Sequence, residues 1–325
     1  MLIFTIHFYK NSSRTTVERC VSILIVKPRK RSLELQILTS LNNRLELSEK
    51  YKSLLHTLKK GYEGEILFES YISKLQNNFL ILSDLFLQVN STNFQLDSII
   101  ITYDKIFLYE VKNLEGDYYY DATKDRIYSK TKEIINPLSQ VVRAETLLRQ
   151  ILQSLKIHLP IEYNVVFVNQ EFTLYGAPLD KPFIYPTQIH RYLKKFESMS
   201  TDKINKNSYV AEKLLSLHSS DSMFWQIPPY EYKDLKLGVT CAVCGSFMNT
   251  VEGYSCICLK CGKRESVYSV ILRSVEEFKL LFPEEKITTN GIFEWCGGIT
   301  SSRTIMRILN RNFQMVGKYR STHFV

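Results

Sequence analysis

Apolar side chains recur every three or four residues in several parts of the chain, a spacing that predicts amphipathic helices. The first predicted helix covers residues 32–47, and the second begins at Ser48, a suitable N-cap, and continues to about residue 75. Asn136 and Pro137 suit the start of a third helix, which ends near residue 155. Shorter helices are predicted at 187–196 and 208–217.

Runs rich in Ile, Leu, Phe and Tyr lie between these helices and predict β-strands. The runs are residues 79–87, 95–102, 105–114 and 163–168. Residues 115–135 are polar and rich in tyrosine, which indicates short strands or a hairpin. The order of helix, three strands, helix, strand and helix predicts an α/β domain with a mixed sheet flanked by helices.

Changes in composition divide the chain into five predicted segments. A pair of prolines, Pro228-Pro229, marks a linker, and a cluster of cysteines marks a small module after it. The segments are an N-terminal extension with a helix (1–47), the α/β domain (48–220), the linker (221–237), the cysteine module (238–268) and a C-terminal unit (269–325).

The chain has 325 residues, 45% of them hydrophobic, and a formal net charge of +9. This composition excludes a largely disordered protein, and the positive charge suits a polyanionic partner such as nucleic acid. No run of 18 apolar residues is present, and the apolar start lacks the basic region of a signal peptide. We therefore expect a cytoplasmic protein with no membrane partner.

Five of the seven cysteines fall within the cysteine module, in a pattern typical of metal binding in a reducing compartment. Two matching Cys-x-x-Cys-Gly knuckles predict a zinc ribbon in which four thiolates hold a structural Zn²⁺. The predicted ligands are Cys241, Cys244, Cys258 and Cys261. Cys256 is a rival ligand, but Cys258 gives the symmetrical knuckle. Cys20 and Cys296 are expected to be ordinary core thiols.

Charged residues interrupt two of the predicted strands at related positions. A two-residue turn at Tyr103-Asp104 would place Asp97 opposite Glu110 on the neighbouring strand. Residues directly across a ladder share a face of the sheet, and so do residues two apart in one strand. Asp97, Glu110 and Lys112 would therefore meet on one patch.

This patch is costly as pure structure, because its flanks are apolar and buried charges persist only when they are paired or bound to metal. Two carboxylates can chelate Mg²⁺ or Mn²⁺, and the lysine can orient water or stabilise a phosphate, which is the chemistry of phosphodiester hydrolysis. The alternative is a surface cluster of salt bridges, because Glu-x-Lys alone is a common pattern.

Residues 60–140 resemble the nuclease-related domain (NERD), a branch of the PD-(D/E)xK phosphodiesterase superfamily with a restriction-endonuclease-like fold. The pieces that carry the resemblance are Lys60-Gly-Tyr-Glu-Gly-Glu65, Gln95-Leu-Asp97, Tyr109-Glu-Val-Lys-Asn113 and Asn136-Pro-Leu-Ser-Gln140.

The resemblance implies roles for five residues. Asp97 and Glu110 would hold the metal, and Lys112 would serve the attacking water. Glu65 would complete or support the metal site, and Gln140 would contact the phosphate or support the site. Both also have a plainer interpretation, as exposed helix residues. The segment after Lys112-Asn113 departs from the family, which usually has an aromatic residue, lysine and glycine where this chain has Leu114-Glu-Gly.

The C-terminal unit is predicted to form a helix-turn-helix followed by a hairpin with a basic tip, a layout similar to a winged helix. Its candidate contacts to nucleic acid are Arg303, Arg307, Lys318 and Arg320. The alternative is a small α/β cap whose arginines are only solvated.

The sequence thus favours a divalent-metal-dependent nuclease acting on DNA, with the zinc ribbon and the helix-turn-helix positioning the substrate. One alternative is a non-catalytic nucleic-acid-binding or regulatory protein that keeps the nuclease fold as a scaffold, and another is a nuclease with an RNA or mixed substrate.

Overall fold

The structure is a computed structural model, which describes residues 24–75, 79–197, 199, 207–219, 226–317 and 322–325. The chain divides into two compact units. The first unit comprises the described parts of Met1–Pro28 and Glu65–Ser219, and the second comprises those of Arg29–Gly64 and Ser220–Val325.

The strands and helices are numbered in chain order. The strands are β1 (Leu24–Lys27), β2 (Leu80–Val89), β3 (Thr92–Ile101), β4 (Ile106–Lys112), β5 (Gly116–Asp121), β6 (Arg126–Ser129), β7 (Glu133–Ile134), β8 (Ile161–Phe167), β9 (Phe172–Tyr175), β10 (Phe183–Ile184), β11 (Val239–Thr240), β12 (Phe247–Met248), β13 (Thr250–Glu252), β14 (Ser255–Ile257), β15 (Arg264–Ser266), β16 (Met315–Val316) and β17 (His323–Phe324). The helices are α1 (Leu33–Arg44), α2 (Glu49–Ile72), α3 (Pro137–Ser154), α4 (Ile189–Leu193), α5 (Ser208–Ser216), α6 (Val267–Leu281), α7 (Thr289–Trp295) and α8 (Ser302–Asn312). Among these described helices, none is both long enough and apolar enough to cross a membrane.

A six-stranded mixed sheet, in the order β1-β2-β3-β4-β8-β10, forms the centre of the first unit. Strands β2, β3 and β4 pair antiparallel, whereas β4, β8 and β10 pair parallel. A second sheet, β7-β6-β5-β9, is built largely from the chain between β4 and α3. The first unit is therefore the mixed α/β sheet with flanking helices that the sequence predicts.

The strands of the six-stranded sheet are apolar on both faces, and helices cover each face. Side chains of α3 and α5, such as Leu148 and Leu214, pack on one face. The last turns of α2 pack on the other through Phe68 and Ile72, together with α4. Asn136 caps α3 as predicted, since its Oδ1 accepts a hydrogen bond from the N–H of Leu138 at 3.0 Å.

The hairpin between β3 and β4 has the predicted register. Ile101 pairs with Ile106, and Ser98 pairs with Tyr109. The N–H of Thr102 donates to the carbonyl of Lys105 at 3.0 Å, which closes the turn at Tyr103-Asp104. The register that the sequence argument used for Asp97 and Glu110 is thus confirmed as far as the Ser98–Tyr109 pair.

One hydrophobic core joins the elements of the second unit. It contains residues of α1, the early part of α2, the cysteine module and α6 to α8, among them Leu38, Leu55, Cys258 and Trp295. The predicted boundary at residue 48 separates residues that share this core. Packing therefore groups α1 with the cysteine module and the C-terminal helices, far from it in sequence.

A buried arginine is a central contact of this core. The guanidinium of Arg44 is fully buried, forms an ion pair with Glu277 at 2.7 Å and lies over the ring of Trp295 at 3.7 Å. It also donates to the carbonyls of Lys236 and Gly238 at 2.7 and 3.0 Å. Because its charge is both paired and hydrogen-bonded, its burial is tolerated, and it joins α1 to α6 and the start of the cysteine module.

Candidate functional site

Side chains along β2 and β3 alternate between the two faces of the sheet, and this alternation is interrupted at Asp97. Leu82 and Leu85 face the same core although they are three residues apart, and so do Leu96 and Ile99 in β3. Asp84, opposite Asp97, has a left-handed backbone with φ of 56°. This distortion interrupts the ladder between the Ser83–Ser98 and Leu85–Leu96 pairs. Irregular strand geometry of this kind often redirects a side chain at a functional site.

The redirected carboxylate of Asp97 reaches the end of β4. Its Oδ2 accepts a hydrogen bond from the backbone N–H of Val111 at 2.8 Å. Lys112 Nζ lies 2.7 Å from Glu110 Oε1. The structure therefore brings together Asp97, Glu110 and Lys112, the three residues that the sequence predicts to meet.

Burial and repulsion both act on Glu110, whose side chain is only 12% exposed. Loss of solvation and, after it, the nearby charge of Asp97 raise the pKa of Glu110 to about 7, against the opposing effect of Lys112. A carboxyl group with this pKa is poorly stabilised as an anion by the protein alone.

A cleft of about 410 Å³ opens over the two carboxylates. One wall comes from the first half of β3 and the other from the start of α3. The lining residues are Asn93, Phe94, Gln95, Asp97, Glu110, Ser139, Gln140, Arg143 and Ala144. Gln140 thus shares the cleft with the carboxylates, as expected. Sequence reasoning missed Arg143, although it follows Gln140 by three residues and so faces the same side of a helix.

Glu65 is half-buried on α2, and the described residues that line the cleft do not include it. Among the described residues, the grouping of three or more His, Cys, Asp or Glu side chains close enough for one ion consists of four cysteines. The role of Glu65 in the site stays a prediction.

The donor set of the cleft fits a hard divalent cation. Carboxylate oxygens are the ligands that Mg²⁺ and Mn²⁺ prefer, and Mg²⁺ is usually held by one or two carboxylates with water completing its shell. Asp97 and Glu110 supply two such groups, and a cation between them would offset the burial and the repulsion that raise the pKa of Glu110.

Residues 60–168 match the family model described as the nuclease-related domain, NERD. The chain therefore contains a nuclease-related domain. The matched span includes the carboxylate pair, Lys112 and the helix that carries Gln140. Comparison with curated proteins and with solved structures finds no match.

Without a bound metal ion, the ionised carboxylate pair should lower the free energy of unfolding of the nuclease-related domain. The folded pKa of Glu110, about 7, exceeds its model value of 4.5. The stabilisation from protonated Glu110 is therefore complete below about pH 4.5 and lost as pH rises through 7. Urea unfolding of zinc-loaded protein at pH 8, with no Mg²⁺ or Mn²⁺ added, should show Glu110→Gln to be more stable than the unaltered chain, on the order of 2 kcal/mol.

At pH 5 the gap between the two proteins should be much smaller, because Glu110 then keeps its proton in the folded state. A glutamine variant that is less stable at pH 8 would instead mean that the ion pair with Lys112 outweighs both burial and repulsion.

Four thiols meet in the second unit, outside the nuclease-related domain. The sulfur atoms of Cys241, Cys244, Cys258 and Cys261 all lie within 4.8 Å of one another. Cys241 Sγ is 3.6 Å from Cys261 Sγ, and Cys244 Sγ is 3.5 Å from Cys258 Sγ. Zinc–sulfur bonds of about 2.3 Å in a tetrahedron place sulfurs about 3.8 Å apart, so this cluster fits a zinc ribbon.

The two knuckles have the same backbone. Gly245 N–H donates to the carbonyl of Cys241 at 3.0 Å, and Gly262 N–H donates to that of Cys258 at 2.8 Å. Both glycines are left-handed, with φ of 70° and 73°, a conformation that other residues adopt only with strain. This shared turn is what brings the paired thiols to one point.

The remaining cysteines lie apart from the cluster or outside the described residues. Cys256 is fully buried in the core of the second unit and is not part of the four-thiol group, which agrees with the choice of Cys258 as ligand. Cys296 is buried in the same core, and burial raises the pKa of its thiol to about 12. Cys20 lies outside the described residues.

The C-terminal unit presents cations on α8. Arg303 and Arg307 are exposed and lie one turn apart, and Arg311 continues the row. The turn before α8 contains Gly297 and Gly298, both left-handed with φ of 61° and 64°. The other two predicted contacts, Lys318 and Arg320, lie outside the described residues.

Proposed function

We propose that the nuclease-related domain is a divalent-metal-dependent nuclease that hydrolyses phosphodiester bonds, with DNA as the substrate. The observation that carries this proposal is the placement of Asp97 and Glu110 side by side in an open cleft, with Lys112 bonded to Glu110. Burial of Glu110 next to a second carboxylate is unfavourable for a purely structural cluster, because the charge of Asp97 opposes ionisation of Glu110 even though Lys112 is bonded to it.

Asp97 and Glu110 would hold Mg²⁺ or Mn²⁺. When bound, the cation makes water a stronger nucleophile and neutralises the charge that develops on the phosphate. The N–H of Val111 fixes one oxygen of Asp97, so the carboxylate is oriented before any ligand binds.

Lys112 would act on the reacting groups directly. Its ammonium group carries three donors, and one of them is bonded to Glu110. The others can orient the attacking water or bind a phosphate oxygen as negative charge increases. Gln140, on the opposite wall, has an amide that can donate to the same phosphate.

The second unit would bind the DNA. The order α6, a bridge at Ile287, α7, α8 and the β16–β17 pair supports a winged-helix arrangement, in which Ile287 pairs with Phe324. Arg303 and Arg307 on α8 would then contact phosphates or bases. The zinc ribbon would hold this unit together, and its thiolates suit a cytoplasmic, reducing location.

The test is cleavage of duplex DNA, single-stranded DNA and RNA by the zinc-loaded chain with Mg²⁺, with Mn²⁺ or with neither cation added. We expect DNA cleavage that needs the metal and disappears in Asp97→Asn and Glu110→Ala. DNA binding without cleavage, unchanged in both variants, would contradict the proposal and favour a binding scaffold.

A further inference from the structure

Arg143 is a cation of the cleft that neither the resemblance nor the family match assigns. It is exposed on α3, one turn beyond Gln140, and lines the cleft together with Asp97 and Glu110. An α-helix rises by about 4.5 Å over three residues, so Arg143 lies farther along this wall of the cleft than Gln140 does.

Among the described residues, the Arg143 side chain has no hydrogen bond and no ion pair. Arg149, on the same helix, differs, because it is paired with Glu145. Lys112 is also engaged, through Glu110. Because Arg143 forms no ion pair with Asp97 or Glu110, its guanidinium does not serve to neutralise the carboxylates. Among the described residues that line the cleft, Arg143 is the cation whose side-chain donors are all available to a ligand.

We propose that Arg143 binds a substrate phosphate next to the one that is cleaved. This inference rests on the proposed nuclease function. Asp97, Glu110 and Lys112 would surround the scissile phosphate, whereas Arg143 lies on α3, the opposite wall of the cleft. A guanidinium can hold two phosphate oxygens at once, which fixes the orientation of the strand as well as adding affinity.

The other groups of the cleft agree with a polyanionic strand. Asn93 and Ser139 offer neutral hydrogen-bond donors on facing walls, and the volume of about 410 Å³ is in the range of sites for small ligands, so one nucleotide fits. A strand that follows α3 would place successive phosphates first at the carboxylates and then at Arg143. Arg143 is thus a positioning residue rather than a catalytic one.

The test compares the unaltered chain with Arg143→Met, Arg143→Lys and Arg149→Met. Binding of a fluorescent DNA duplex is measured with Ca²⁺ in place of Mg²⁺ over a range of salt concentrations, and cleavage kinetics are measured with Mg²⁺. For Arg143→Met we expect about tenfold weaker binding and a slope of log affinity against log salt reduced by about one, as for the loss of one phosphate contact.

In cleavage, the same variant should show KM raised about tenfold with kcat nearly unchanged, because the contact exists before and during the reaction. Arg143→Lys should recover part of the affinity and the salt slope, and Arg149→Met should behave as the unaltered chain. A merely structural role would not change the salt slope.

Two results separate this inference from the function on which it rests. Weaker binding and a smaller slope in Arg143→Met, with no cleavage by any protein, would keep the phosphate site and reject the nuclease. Metal-dependent cleavage with the same KM, affinity and slope in both proteins would keep the nuclease and overturn the role of Arg143.

Discussion

Replacing Lys112 by methionine is expected to slow metal-dependent cleavage about 10²–10³-fold, the size of effect typical of a group that orients a nucleophile or stabilises transition-state charge. Methionine keeps most of the length and apolar stem of lysine but removes the ammonium group that is 2.7 Å from Glu110. The measurement is kcat on duplex DNA at saturating Mn²⁺, since Asp97 and Glu110 remain to bind the cation.

Lys105→Met provides the matched control. Lys105 directly precedes β4, the strand that ends at Lys112. Its ammonium group pairs with Glu162 at 3.4 Å rather than with the carboxylates of the cleft. The change in charge and shape is the same, so a general effect on DNA attraction would appear in both variants. Equal losses in the two variants would contradict a specific role for Lys112.

The pH of the assay separates two ways in which Lys112 could act. Lys112 lowers the pKa of Glu110, so its removal raises that pKa and leaves more Glu110 protonated near neutral pH. If Lys112 only keeps Glu110 ionised, activity of Lys112→Met should return at pH 9. If it acts on the water or the phosphate, as proposed, the loss should persist there.

Replacing Cys258 by serine is expected to abolish zinc binding and to unfold the second unit. Zinc binding contributes on the order of 10 kcal/mol in small zinc modules, which is comparable to the whole stability of a domain. Cys258 lies in the shared core, so the effect should reach α1 and α6 as well as the knuckles. The measurements are zinc content per chain and the rate of proteolysis within residues 226–317.

Cys256→Ser is the control for this prediction. Cys256 is as fully buried as Cys258 and lies two residues before it, but it is not part of the thiol group. This variant should keep one zinc per chain and lose only the modest stability expected from a hydroxyl in an apolar core. Loss of zinc in Cys256→Ser but not in Cys258→Ser would overturn the ligand assignment.

Local sequence patterns were sufficient to predict the sheet of the first unit and the proximity of its two carboxylates. The turn at Tyr103-Asp104 sets the register of the hairpin, so the proximity of Asp97 and Glu110 could be predicted from a few residues. The paired knuckles likewise identified four cysteines that meet in space, because Cys-x-x-Cys-Gly is a local structure. The distortion at Asp84 could not be predicted, since a left-handed backbone at a non-glycine residue inside a strand has no signal in the hydrophobic pattern.

Contacts between distant segments account for the remaining differences. The sequence predicted a helix at residues 32–47 within a separate N-terminal segment, yet Arg44 is buried against Glu277 and Trp295, more than 200 residues away in the sequence. No role was predicted for Arg143 from the sequence, whereas the structure places it in the lining of the cleft that contains the two carboxylates. Neither relation has a signal in local spacing, because each depends on which elements pack together.

The most direct test of the central claim is the number of Mn²⁺ ions bound per chain, measured by isothermal titration on zinc-loaded protein at pH 8. At that pH Glu110, with a pKa of about 7, is ionised and able to bind. One Mn²⁺ site is expected, and it should be lost in the Asp97→Asn, Glu110→Gln double variant while the zinc content stays the same. An Mn²⁺ site of unchanged affinity in the double variant, or no Mn²⁺ bound by the unaltered chain, would contradict that claim.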